Sequence, residues 1–366
     1  DAGVQITAAH IDSPRMDLKP NPLYEDTDLA LFKTHYYGGI KKYQWTTIPL
    51  ALHGVFAKKD GSVVEVNIGE SDTDPCFVVT DLLPHLAQEQ SKRTLSDGIR
   101  GEELNILIGS LPFKDDKASE LVKLNILKIL NEKYGVTEAD FLSAELEVVP
   151  AVKPRDIGLD RSLIGAYGHD DRVCAYPALM AICEVESPEK TAVAILADKE
   201  ETGSDGNTGL NSAFLKYVIR DIAEMQGVDY TVALRNSKCL SADVNAGMDP
   251  TFKDVMEAKN ASKLNYGAVI TKYTGSRGKS GTSDASAEFV GKVRRILDAA
   301  NVSWQIGELG KVDEGGGGTV AMYIANLNVD VVDLGVPVLS MHAPYEVVSK
   351  FDVYSTYRAC FEFYKS

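Results

Sequence analysis

The stretch TAVAILADKEETGS (191–204) joins an uninterrupted apolar run to a cluster of acidic residues. Residues 191–198 predict a strand that is buried on both faces, because apolar side chains follow one another without alternation. Glu200 and Glu201 come directly after it. Neighbouring glutamates at the end of a buried strand repel each other unless a cation or a proton separates their roles, although a solvated loop also accounts for such a pair. One division lets Glu201 bind a metal while Glu200 takes a proton from metal-bound water.

The chain around this stretch alternates apolar strands with helices. Further strands are predicted at KCLSADV (238–244), YGAVITKY (266–273), VDVVDLG (329–335) and PVLSMH (337–342). Helices are predicted near 209–226, at about 283–300 with Ser283 and Asp284 as capping residues, and from about 350. This alternation favours an α/β fold with a central mixed sheet sandwiched by helices.

Residues 17–150 have a different pattern. Short apolar segments at 48–56, 63–70 and 104–110 are broken by Gly, Asp and Lys turns, and one helix is expected near 119–134. This pattern is typical of a β-rich domain. We therefore predict two domains: a catalytic domain of residues 1–16 and 151–366, and an inserted β-rich domain of residues 17–150.

Composition narrows the classes of partner. The 366 residues carry a formal charge of −15 without a Lys/Arg-rich stripe, which argues against nucleic acid and anionic membranes. Apolar runs are shorter than the ~20 residues that cross a bilayer. Five widely spaced cysteines without a CxxC pair favour the reducing cytoplasm. Because Asp1 leads straight into a core-like strand, we expect upstream residues, and also internal loops, to be absent from this numbering.

Other histidines and carboxylates also follow predicted strands. His10 and Asp12 stand in AAHIDSPR, where the carboxylate can fix the ring's tautomer; a strand-end histidine beside a solvated aspartate is the alternative. Asp170 and Asp171 precede an apolar helix, as helix caps or as a bridging carboxylate. Asp243 and His342 each end an apolar strand as well. The set His10, Asp170, Glu201, Asp243 and His342 contains no thiolate and suits Zn²⁺, Co²⁺ or Mn²⁺.

The motif strings resemble those of a known family. HIDSPR, GHDDR, DKEETGS, SADV and MHAPYE resemble, in order, five motifs of the aspartyl aminopeptidase/aminopeptidase I family of co-catalytic di-zinc metallopeptidases. The segment 17–150 resembles that family's dimerisation domain through YGGIKKYQW (37–45), PLALHGVFAKKDGS (49–62) and LLPHLAQ (82–88). The resemblance runs from the first strand to the last helix.

The resemblance implies a role for individual residues. Asp170 bridges two metals, His10 and Asp243 complete one site, and Glu201 and His342 complete the other. Glu200 is the general base, and Asp12 orients His10. The implied activity is hydrolysis of the N-terminal residue from short peptides by a two-metal, Glu-assisted attack of water.

The resemblance also implies substrate contacts and an assembly. Lys272 lies near a basic substrate contact of the family, although an exposed side chain is the simpler interpretation. Gly316 and Gly317 belong to GGGGT (315–319), which replaces a Cys/Gly-Ser-Thr run and leaves the preferred N-terminal residue open. His85 is expected to reach the active site of a neighbouring subunit within a dimer, and the dimers to form a closed homo-oligomer, a dodecamer.

Two other functions remain open at this point. One is a different amidohydrolase, deacylase or carboxypeptidase with the same metal cage. The other, of a different class, is a catalytically silent assembly or cargo protein, against which the presence of Glu200 beside all five ligands argues.

Overall fold

The structure is a computed structural model that describes residues 3–115 and 117–366. The strands, in chain order, are β1 (Val4–His10), β2 (Arg15–Asp26), β3 (Leu29–Tyr37), β4 (Leu50–Ala57), β5 (Val63–Ile68), β6 (Val78–Val79), β7 (Ile106–Gly109), β8 (Ala144–Pro150), β9 (Arg155–Ile157), β10 (Leu163–Ala166), β11 (Thr191–Ala197), β12 (Lys238–Ser241), β13 (Asn245–Ala246), β14 (Ala268–Thr271), β15 (Trp304–Ile306), β16 (Asp330–Gly335), β17 (Pro337–Leu339) and β18 (Glu346–Ser349). The helices are α1 (Leu121–Tyr134), α2 (His169–Glu184), α3 (Phe214–Met225), α4 (Tyr230–Asn236), α5 (Ala287–Ala299), α6 (Ala321–Ala325) and α7 (Lys350–Tyr364).

The chain divides into two compact units. The first contains Asp1–Ser13, Pro154–Met341 and Tyr345–Ser366, and the second contains Pro14–Lys153 with His342–Pro344. The first unit holds a six-stranded sheet in the order β11-β1-β12-β16-β14-β15 and a five-stranded sheet in the order β13-β17-β18-β10-β9. The second holds a seven-stranded sheet in the order β5-β4-β8-β2-β3-β7-β6. The predicted mixed α/β class is confirmed.

Strand β1 shows why the six-stranded sheet forms. Its side chains alternate in direction, so Val4, Ile6 and Ala8 pack in one apolar cluster with residues of α3 and α4. On its other side, the Thr7 hydroxyl lies 2.5 Å from the Tyr364 hydroxyl of α7. Both faces of β1 are therefore covered, and all seven of its residues are buried.

Parallel pairing sets the position of the strand ends. β1 pairs in parallel with β11 and β12, and His10 is level with Ala197 while Ala8 is level with Ser241. The carboxyl ends of these three strands therefore lie at one edge of the sheet. Ligands bind at such edges in open α/β sheets.

The second unit packs around the central strands of its sheet. Its largest buried side chains include Trp45 and Phe56, and Phe141 contacts Phe56 with ring centroids 5.1 Å apart. Gly54 has a φ of +134°, and a Cβ there would lie 1.9 Å from the Glu145 carbonyl oxygen. Only glycine fits where β4 approaches β8 this closely.

Several predicted boundaries differ from the structure. The helix expected at 283–300 begins at Ala287, and Ser286 rather than Ser283 or Asp284 caps it, because the Ser286 side chain accepts the Phe289 N–H. Asp284 is instead 2.8 Å from Lys279 Nζ. The strand expected at 238–244 ends at Ser241, so that Asp243 follows it by two residues.

Candidate metal centre

The edge described above brings most of the candidate residues of the first unit together. His10 is the last residue of β1, Glu200 and Glu201 open the short 3-10 turn Glu200–Thr202 after β11, and Asp243 follows β12. Asp170 enters from the start of α2. The five side chains thus come from four segments of chain that are distant in sequence.

His10 lies at the centre of this cluster, which we call the His10 cluster. Its Nε2 is 3.1 Å from an Asp170 carboxylate oxygen and 3.8 Å from one of Asp243. Its distance to a Glu200 carboxylate oxygen is 3.7 Å. His10, Asp170 and Asp243 are all buried, whereas the Glu200 side chain is 15% exposed. Of the three acids within 4 Å of His10 Nε2, Glu200 is therefore the one that is open to solvent or substrate.

Asp12 ties two parts of the His10 cluster together. Its backbone oxygen is 3.0 Å from His10 Nδ1, and a carboxylate oxygen lies 3.2 Å from the same nitrogen. The two carboxylate oxygens also accept the backbone N–H groups of Glu200 and Glu201, each at 3.1 Å. Since backbone and carboxylate oxygens of Asp12 accept, Nδ1 carries a proton, and Nε2 is the ring nitrogen that faces the carboxylates of Asp170, Asp243 and Glu200.

The electrostatics of the His10 cluster are those of an acid-rich site. Burial lowers the pKa of His10, but the carboxylates of Asp12 and Asp170 outweigh it and raise this pKa well above its usual value. Burial, followed by the charge of Asp171, raises the pKa of Asp243 well above its usual value. Both shifts show negative charge crowded into a region that excludes water. A divalent cation relieves that crowding.

The donor set also fits a metal ion chemically. Ligand atoms of His10, Asp170 and Asp243 lie within 4.8 Å of one another, and so do those of His10, Glu200 and Glu201. Imidazole and carboxylate donors without a thiolate are the ligands of catalytic zinc sites. The residues of the first unit are therefore able to hold zinc.

Asp171 has a position that the sequence did not reveal. Asp171 is fully buried, and its Oδ2 accepts the backbone N–H of His10 at 3.2 Å. Burial raises the pKa of Asp171 well above the usual value. The peptide bond between Asp170 and Asp171 is cis. The Asp171 side chain therefore holds the backbone of His10 from inside the protein. No local sequence pattern distinguishes this residue from an ordinary helix cap.

His342 belongs to the short segment grouped with the second unit. Its φ is +64°, a left-handed conformation that is uncommon for a residue with a side chain. Its Nδ1 lies 2.7 Å from the Gly39 carbonyl oxygen. Because a carbonyl only accepts, Nδ1 is the donor and Nε2 carries the lone pair that a metal ligand needs.

The remaining candidates lie in other parts of the structure. Lys272 is exposed, with its Nζ 3.7 Å from an Asp284 carboxylate oxygen. Gly316, with φ of +119°, lines a cavity of about 210 Å³, and the Gly317 N–H is 3.3 Å from the Thr274 carbonyl oxygen. His85 is exposed in the 3-10 turn Pro84–Leu86 of the second unit. None of these contacts assigns a substrate role.

A buried histidine surrounded by carboxylates at the edge of a mixed α/β sheet is the arrangement of a metal-dependent hydrolase. The model of the aminopeptidase I zinc metalloprotease (M18) family matches residues 1–364. The chain belongs to this family and is thus a zinc metalloaminopeptidase.

Individual relatives agree with the family match. A probable M18 family aminopeptidase 1 of Clostridium acetobutylicum is 56% identical over 97% of this chain and 77% of its own length. The one of Thermotoga maritima is 52% identical over 98% and 79%. Crystal structures from the same two bacteria superpose with TM-scores of 0.95 and 0.96, at 52% and 51% identity. They cover 100% and 99% of this chain, and 80% and 81% of their own chains.

Proposed function

We propose that this aminopeptidase removes the N-terminal residue from short peptides at a centre of two divalent ions in the His10 cluster. The observation that carries the proposal is the convergence of three strand ends and the start of α2 on His10 Nε2, with Glu200 as the most exposed of the three acids within 4 Å of that atom. Zinc is the expected metal, and cobalt or manganese would bind the same donors.

Asp170 is the proposed bridging ligand. His10 and Asp243 would complete the first site, and Glu201 and His342 the second. The tautomers of both histidines support this division, since each presents Nε2 as the ligand atom. A bridging carboxylate must have fixed oxygen positions, and the burial of Asp170 meets that need.

Glu200 is the proposed general base. The bound zinc ions supply Lewis acidity that activates water and polarises the scissile carbonyl. The Glu200 carboxylate accepts the proton of the attacking water and returns it to the leaving amine. Asp12 supports both metal binding by His10 and proton transfer by Glu200, because its side chain holds the His10 ring and the backbone of Glu200.

Substrate selection and assembly complete the proposal. Lys272, Gly316 and Gly317 are proposed substrate contacts, supported only by their place in the family motifs. We propose the zinc-aminopeptidase-like sandwich for the six-stranded sheet, and dimerisation as the role of the inserted domain of residues 17–150. Dimers would form a larger homo-oligomer, as in the S. cerevesiae mApe1 dodecamer, a fold relative at 21% identity.

The cytoplasm is the proposed location. All five cysteines lie in the described part of the chain and are free thiols, two of them exposed. Exposed thiols suit a reducing compartment. Within the described residues, no helix is long and apolar enough to span a bilayer.

His85 is proposed to act in the active site of a partner subunit. It is exposed on a turn whose neighbours Leu82, Leu83 and Leu86 are exposed as well, and exposed leucines around a polar residue suit a protein interface. Mixing inactive His85→Ala and Glu200→Gln proteins under subunit exchange should restore activity, because some mixed dimers combine both intact residues. No recovery despite demonstrated exchange would refute the shared site.

Glu200→Gln tests the proposed chemistry. The amide cannot accept the proton, so kcat should fall by about 10²–10⁴-fold while the zinc content stays at the wild-type level. Glu224→Gln, an exposed change on α3, is the matched control and should retain activity. Wild-type activity of Glu200→Gln with zinc retained would rule out the mechanism. Cleavage of N-acyl amides in preference to aminoacyl amides would favour a deacylase.

A further inference from the structure

Asp170 has an unusual backbone for the second residue of a helix. Its φ of −79° and ψ of 104° are extended, so its peptide groups leave the helical hydrogen-bond pattern of α2. Gly168, which precedes the helix, has no side chain that could cap the first peptide groups of α2. The N–H and C=O of Asp170 therefore need partners from elsewhere, because a buried peptide group without one is unfavourable.

Two buried side chains supply those partners. The Glu346 carboxylate accepts the Asp170 N–H at 3.1 Å. The Ser13 hydroxyl donates to the Asp170 carbonyl oxygen at 2.7 Å. Ser13 is 2% exposed and Glu346 is 1% exposed, so solvent does not compete for either bond. The two bonds hold Asp170 from opposite sides of its Cα.

The fold explains why these two residues reach Asp170. Glu346 opens β18 and pairs with Ala166, the last residue of β10 before the entry to α2. Ser13 follows His10 by three residues, so its bond also links the segment that carries His10 to the one that carries Asp170. Both residues belong to motif strings, yet neither is one of the proposed ligands or the base.

We propose that Ser13 and Glu346 form a clamp that positions the Asp170 carboxylate for metal binding before any metal arrives. The inference rests on the proposed function, since it assumes that Asp170 is a metal ligand. Both are positioning residues that act through Asp170 by hydrogen bonds to its backbone. Because partners behind a ligand typically change metal affinity by about 10–100-fold, loss of either bond should weaken zinc binding by at least about tenfold.

The test measures zinc affinity by competition calorimetry and unfolding temperature in the same metal-depleted preparations. Ser13→Ala removes the donor and Glu346→Ala the acceptor, while Glu346→Gln keeps an acceptor oxygen without the charge. Both alanine variants should bind zinc at least about tenfold more weakly, and Glu346→Gln should stay close to wild type.

Matched controls separate positioning from general destabilisation. Ser237 is a buried serine whose hydroxyl donates to the Ala233 carbonyl oxygen, and Asp352 is a buried carboxylate that accepts the N–H groups of Asn265 and Gly267. Ser237→Ala and Asp352→Ala therefore lose the same kinds of bond away from the His10 cluster. They should lower the unfolding temperature and leave zinc affinity unchanged.

The outcomes are distinct. Zinc affinities of Ser13→Ala and Glu346→Ala that match those of the controls would overturn the clamp, and so would a Glu346→Gln protein as weak as Glu346→Ala. If Glu346→Ala does not fold, the comparison of Ser13→Ala with Ser237→Ala decides. A folded wild-type protein that binds no zinc would instead overturn the proposed function, and the clamp with it.

Discussion

Asp333 is a buried carboxyl group whose ionisation should lower the free energy of unfolding of the protein. It lies in β16 between β12 and β14, opposite Ser241 and Thr271, and is 4% exposed. Its Oδ1 has no hydrogen-bond partner among the described residues. Burial raises the pKa of Asp333 from 3.8 to about 6, and the nearby hydroxyls of Ser241 and Thr319 lower it only in part.

The direction in which stability changes with pH follows from the pKa values of Asp333 in the unfolded state, 3.8, and in the folded state, about 6. Below pH 3.8 the carboxyl is protonated in both states, and Asp333 does not affect stability through its charge. Between pH 3.8 and about 6 the folded state holds the proton more tightly, so stability falls as pH rises. A shift of about two units corresponds to about 3 kcal/mol, all of which is lost above pH 6.

Asp333→Asn should remove this loss, because the amide stays neutral. The free energy of unfolding of the variant relative to wild type should rise by about 3 kcal/mol between pH 4 and pH 7. Urea unfolding at several pH values, followed by tryptophan fluorescence in the presence of chelator, measures the difference. Protonation of other groups cancels between the two proteins.

The exposed Asp254→Asn serves as the control, since water surrounds this side chain in both states. A difference between Asp333→Asn and wild type that does not change with pH would contradict the argument from burial. A free-energy difference between Asp333→Asn and wild type that falls as pH rises would mean that burial shifts the pKa of Asp333 in the opposite direction.

Three further predictions concern the metal site and the packing of the second unit. Zinc affinity should fall as the pH is lowered from 8 to 6, because the raised pKa of His10 lets a proton compete with the metal. Calorimetry at both pH values measures this change. Gly54→Ala should destabilise the protein by about 1–3 kcal/mol or more, since its Cβ would meet the Glu145 carbonyl oxygen, whereas Gly61→Ala, with nothing within 4 Å, should lose less in thermal unfolding. Trp45→Ala should cost about 3–5 kcal/mol in urea unfolding, because Trp45 is fully buried.

The sequence contained the information for the central sheet. The apolar runs before Glu200 and Asp243 predict β11 and β12, and parallel pairing of such strands places their carboxyl ends at one edge. The strand that ends at His10 lies between them. The histidine and carboxylate residues at those strand ends then predict a metal site without thiolate ligands.

Other features could not be read from local patterns. The bonds of Ser13 and Glu346 to Asp170 span 157 and 176 residues, so no window of sequence contains both partners. In β2 the segment RMDLKPNPLYED contains two prolines and a register shift between Leu18 and Leu23, which hides the strand pattern. The helix α5 starts later than the sequence predicts, because Asp284, a good capping residue, pairs with Lys279 instead.

Metal content measured together with the released product tests the central claim most directly. Elemental analysis of the purified protein should give two zinc ions per chain, and mass spectrometry of a digested short peptide should show loss of its single N-terminal residue. Removal of the metal by a chelator should abolish this cleavage, and added zinc should restore it. Full activity of a metal-free preparation, or cleavage inside the peptide instead of at its N-terminus, would contradict the account.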